Sequence, residues 1–168
     1  LICEMGRETN DPELTADSLA AVALLGGWTL SPEAVVASLK CIRKIIADHS
    51  WHARAAAAAF VELAVSSNLI QLICYEEWRS EIEDIVLNYL ICDERIEVRE
   101  SSSLTLSGMI HCQFVKLTPE LIEKFKARAC HQLVKRKQAS GTTVIDPKSI
   151  VIRHSGILCL CACVDAYP

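Results

Sequence analysis

The stretch Asp93–Ile110, DERIEVRESSSLTLSGMI, decides the fold. It opens on acidic residues, passes through Val98-Arg99, and continues as small residues where a lone amphipathic helix would carry larger apolar ones. Small side chains at that density suit a helix packed very close to another. The same phrase recurs along the chain. Arg54 heads RAAAAAFVELAV, Arg99 heads RESSSLTLSGMI, and Arg153 heads RHSGILCLCACV. After each arginine small residues dominate. A larger apolar residue follows seven positions on (Val61, Leu106, Leu160), and another eleven on (Val65, Ile110, Val164). Arg54 and Arg99 are 45 residues apart; Arg99 and Arg153 are 54 apart, the excess fitting a long basic loop. Asp48 and Asp93 each precede an arginine by six residues, and Asp146 precedes Arg153 by seven.

A period near 45 residues with two helices per unit is the pattern of HEAT-type solenoids, in which each repeat buries its apolar face against its neighbours. The expected fold is therefore all-α: an α-α superhelix of HEAT-like repeats, a right-handed solenoid fragment. The first helix of each pair is expected to lie between its partner and the next repeat. The loop aspartate is expected to pair with an arginine of the same or the adjacent unit, forming a ladder that fixes the stacking.

The prolines agree. Asp11-Pro12, Ser31-Pro32, Thr118-Pro119 and Asp146-Pro147 each place a capping residue before proline. The capping oxygen takes an orphan N–H of the first turn, and proline at the next position loses no hydrogen bond. Glu13, Glu33 and Glu120 follow, where the helix dipole favours an acid. The runs between have helical periodicity: Val35, Leu39, Ile42 and Ile46; Trp78, Ile82, Ile85, Val86, Tyr89 and Leu90; Leu121, Phe125, Ala129 and Leu133. About seven or eight helices are expected and no convincing strand. VSSNLIQLICY reads as a helix end, a turn at Ser66–Asn68 and a short second helix. KRKQASGTTVID, Lys135 to Asp146, reads as a long mobile loop.

Composition bounds the function. The 168 residues are 51% hydrophobic and 23% charged, enough for a substantial core, with a net charge of −4 that argues against a nucleic-acid module. No apolar run approaches the ~20 residues that span a bilayer, so no membrane role is expected. Leu1 opens without methionine or signal peptide, and a piece of a longer protein is expected. The nine cysteines lack any C-x-x-C spacing, and Cys159, Cys161 and Cys163 alternate around a helix; free thiols are expected rather than a metal site. His49, His52, His111, His131 and His154 are scattered and read as surface or capping residues. EEWRSEIED reads as a solvated acidic face. No nucleophile–base pattern or phosphate-binding glycine loop is present, so neither an enzyme nor a cofactor is expected.

WHARAAAAAF, DERIEVRESSSLTLSGMIHCQF and VIRHSGILCLCACV closely resemble the C-terminal region of the large HEAT-repeat proteasome activators, the proteasome activator complex subunit 4 family. The resemblance runs from about Ser50 to Val164, with residues 1–49 placed by continuity. It implies a segment of a curved solenoid that caps the proteasome core particle without ATPase activity. It also implies a nuclear and cytoplasmic protein tied to degradation of acetylated core histones in DNA repair and spermatogenesis. It divides the chain into an N-terminal helix pair (1–50) and further repeats (51–168), with a bromodomain-like, acetyl-lysine-binding region at about 51–138. The family's asparagine–phenylalanine reader pair falls on Gln113 and Phe114, and its nuclear-localisation-like basic loop on Lys135, Arg136 and Lys137. The side-chain amide of Gln113 could meet the acetyl oxygen and Phe114 could flank the stem. The alternative is a purely structural solenoid segment in which Phe114 is core and Gln113 caps a carbonyl. A cargo-binding solenoid of the importin kind is a third reading, which the family-specific block disfavours.

Overall fold

The computed structural model describes residues 12–47, 50–137 and 143–167, and places among them seven α-helices and one small hairpin. These are α1 (Pro12–Gly26), α2 (Pro32–Ile46), α3 (Trp51–Cys74), α4 (Glu76–Asp84), α5 (Ile96–His111), α6 (Pro119–Ala129), β1 (Lys135–Lys137), β2 (Thr143–Ile145) and α7 (Pro147–Asp165). α4 continues through a π-helical turn at Ile85–Tyr89 and a 3₁₀ turn at Leu90–Cys92. The chain is all-α apart from the hairpin, as expected.

Three of the four proline starts are seen directly. The Ser31 hydroxyl accepts from the Ala34 N–H at 3.3 Å, Thr118 from Leu121 at 3.2 Å, and the Asp146 carboxylate from Lys148 at 3.4 Å. Asp11 lies outside the described residues. The expected break in VSSNLIQLICY is present: two helical stretches of α3 meet across a kink at Asn68. Asn68 leaves helical geometry (φ −122°, ψ 20°) and is buried. Its carboxamide donates to the Trp28 and Ala64 carbonyls at 3.0 Å and accepts from the Leu30 N–H at 2.7 Å. One buried side chain thus ties the α1–α2 connection to α3.

The helices form two rows. α1, α3, α5 and α7 stack in sequence, each against the next, while the turns at 85–92 that follow α4 pack against α5, and α6 packs against α7. The arginine-headed helices are therefore the second members of their pairs, not the first as expected. Each inner one has neighbours on both sides of the row besides its partner, which is why its residues are small. The Ser101 hydroxyl donates to the Ala55 carbonyl on α3 at 3.3 Å, and Thr105 to Ala58 at 3.0 Å. On the other side, Ser103 donates to the Leu158 carbonyl on α7 at 3.1 Å. A short hydroxyl reaches a carbonyl of another helix only when the backbones nearly touch. Phe114, Phe125, Leu72, Ile85, Leu90, Leu106, Met109 and Ile110 are among the largest buried side chains of one continuous core.

The closest approach is at Gly156 of α7. A Cβ there would lie 2.2 Å from the Ala129 nitrogen and 2.5 Å from the Arg128 carbonyl carbon, both backbone atoms of α6. Backbone cannot swing aside as a side chain can. Gly156→Ala is expected to destabilise the chain by about 1–3 kcal/mol or more, read as an earlier urea midpoint with an unchanged denaturant slope.

Two further expectations are corrected. The loop Lys135 to Asp146 contains an antiparallel pair of strands, Lys135 opposite Ile145 and Lys137 opposite Thr143. Three-residue strands are too short to show alternation, and the β-branched run Thr143-Val144-Ile145 favours extended backbone. Also, α3 (24 residues) and α7 (19 residues) are each long and apolar enough to cross a membrane, which the reading of apolar runs had excluded. α3 packs against α1, α2, α4 and α5 and buries Arg54, the setting of a core helix.

Candidate functional site

The arginines form the first feature with site-like geometry. Arg54, at the start of α3, is buried, and its Nε and Nη2 donate to the two carboxylate oxygens of Asp93 at 2.6 and 3.0 Å. Asp93 stands in the turn before α5, so this rung joins one unit to the next. It also accepts from the Arg95 N–H at 2.8 Å, which fixes the turn. Asp48 lies outside the described residues.

The next rung is built differently. Arg99 Nη1 donates to the Asp93 and Glu94 carbonyls at 2.6 and 2.9 Å, while its Nε donates to His154 Nδ1 on α7 at 3.0 Å. Burial lowers the Arg99 pKa. Burial first, and then the Arg99 charge, hold the His154 imidazole below the ordinary histidine range. Asp146 does not reach Arg153, as a regular ladder would require. It caps α7 and pairs with Arg136 at 3.0 Å, and Arg153 is exposed. Sequence reasoning missed His154. Its only signal was its place directly after a repeat arginine.

The second feature is the turn after α5. Gln113 has φ 59°, in the left-handed region, and its N–H donates to the Ile110 carbonyl at 2.9 Å. Val115 donates to Met109 at 3.1 Å, closing the helix end. This reversal turns Gln113 out to solvent and Phe114 in, where it is completely buried beside Val115. The two residues expected to line one pocket thus point opposite ways. Phe114 would have to leave the core to flank a ligand. Among the described residues, concavities lie around Trp78 between α2 and α4, and around Cys92 and Val151 near the start of α7.

The basic loop residues Lys135, Arg136 and Lys137 are exposed on β1, with Arg136 engaged by Asp146. The acidic face of α4 is more than solvated. Glu81 and Asp84 hold Arg43 of α2 at 2.5 and 2.6 Å, and Arg43 also lies over the Tyr89 ring. Burial pushes the Cys159 thiol up to about 12, the behaviour of a packing residue.

No family model matches the chain. Among curated proteins it is 32% identical over 170 residues to proteasome activator complex subunit 4 of Xenopus laevis, covering 99% of this chain. It is 30% identical over 159 residues to subunit 4B of Danio rerio (93% of this chain), and 28% identical over 170 residues to subunit 4 of Homo sapiens (99% of this chain). In each case the chain spans 9% of the relative's length.

Proposed function

We propose that this chain, related along almost all of its length to one segment of the proteasome activator complex subunit 4 proteins, forms a stretch of non-catalytic helical-repeat wall in a proteasome activator. The observation that carries this reading is the row α1–α3–α5–α7. Its inner member α5 is tied to both neighbours by hydroxyl-to-carbonyl bonds, and to α3 also by the Arg54–Asp93 pair. Such a wall contributes shape and continuity, and the proteasome core particle would be met through the whole protein. Nuclear and cytoplasmic residence belongs to the same proposal, with Lys135, Arg136 and Lys137 as its exposed basic element.

A finer reading has the segment select acetylated histones through Gln113 and Phe114. The exposed carboxamide of Gln113 favours it, since an amide N–H is what an acetyl oxygen needs. The burial of Phe114 favours the plain wall, because the aromatic flank is spent on the core. Calorimetric titration with one histone-tail peptide, acetylated and unmodified, separates the two. The wall reading expects no difference between the peptides. Binding of the acetylated peptide alone, abolished in a folded Gln113→Ala variant, would establish the reader instead.

A further inference from the structure

Two histidines bridge the α5–α7 junction, one at each end, in opposite chemical senses. At the N-terminal end the Arg99 Nε–H donates to His154 Nδ1 at 3.0 Å. A guanidinium has only donors, so Nδ1 presents its lone pair and the ring is neutral, with its proton on Nε2. At the C-terminal end His111 Nδ1 lies 2.9 Å from the Ala166 carbonyl. A carbonyl only accepts, so Nδ1 carries the proton there. The preceding junction uses a carboxylate for its arginine, Asp93 on Arg54. Histidine is the side chain that ordinarily changes charge between pH 5 and 8.

We propose that the α5–α7 junction is a proton-gated hinge: protonation of His154 breaks its bond to Arg99 and sets two cations face to face, opening the N-terminal end while His111–Ala166 remains as the pivot. The charged groups around the ring are consistent with this. From α5 it faces Arg99, which opposes protonation, and Glu100, which favours it less strongly. Asp93 and Glu97 act on Arg99 rather than on the ring. From α6, Arg128 is committed to the Leu87 carbonyl and Asn88 at 2.8 and 2.9 Å. On α7 itself the neighbour is Arg153, another cation. The sign follows. The folded state holds the ring neutral below the ordinary histidine pKa of about 6.5, so the unfolded chain binds the proton first. The junction's stability is fully present above that value and is lost as pH falls through the lower folded value.

The test is amide hydrogen exchange on the chain at pH 7.5 and 5.5, corrected for intrinsic exchange. It compares the wild type with His154→Gln, a neutral acceptor, and His154→Asp, which restores a carboxylate rung. In the wild type, protection across Ser149–Ser155 is expected to fall roughly tenfold relative to Cys159–Asp165 on acidification. Both variants are expected to abolish that selective loss while keeping α3 protected. A uniform loss along α7 in the wild type would overturn the hinge. So would the same selective loss in variants with intact α3.

Discussion

Asp93→Ala is expected to lower the stability of the chain by about 3–5 kcal/mol, measured by urea unfolding at neutral pH. Asp93 meets Arg54 through two hydrogen bonds, and the two side chains are only 9% and 6% exposed. Both side chains are desolvated, and removing the Asp93 carboxylate takes away the close acidic partner of the guanidinium, while the exposed Glu94 carboxylate stands farther off at 3.9 Å. The same carboxylate anchors the turn through the Arg95 N–H, and that bond is lost with it. The contrast with Arg43 is one of burial. Its partners Glu81 and Asp84 are 37% and 40% exposed, and pairs in such settings contribute about 0–1 kcal/mol because water and salt screen them. Asp93→Asn is expected to fall between, since it keeps an acceptor for Arg95 and a neutral partner for Arg54.

Phe114→Ala is expected to cost about 3–5 kcal/mol, with far-UV circular dichroism and the urea midpoint as readouts. The ring is fully enclosed next to Val115 and the end of α5, so truncation leaves a cavity where helix rows meet. Gln113→Gly, one residue away, is expected to leave stability within about 1 kcal/mol of wild type, because glycine takes the left-handed φ of 59° without strain. The pair has a consequence for binding experiments. Loss of any ligand in Phe114→Ala reports an unfolded junction, whereas Gln113 can be changed with the fold intact and is the informative position.

Much of the architecture was legible because it rests on local chemistry. Ser31, Thr118 and Asp146 cap their helices as proline and capping rules require, and the Arg54–Arg99–Arg153 spacing marks three of the four helices that share a row. What sequence could not supply was depth. The break at Ser66–Asn68 is legible, but not that Asn68 is buried there and tied to Trp28 and Leu30. The aspartates at similar offsets look equivalent, but Asp93 is paired across units while Asp146 is drawn to Arg136 by the hairpin. Gln113-Phe114 reads as one motif. The left-handed turn between them, which no spacing reveals, sends the two side chains to opposite sides of the boundary between core and solvent.

Arg54 at the head of α3 and Asp93 in the turn before α5 lock those two arginine-headed units into one wall. A double-mutant cycle on Arg54→Ala and Asp93→Ala, measured by urea unfolding, tests it most directly. The expected coupling is about 2–3 kcal/mol, with the double variant more stable than the sum of the single losses allows. Additivity to within about 0.5 kcal/mol would mean that the two residues act independently, and would contradict the joined wall.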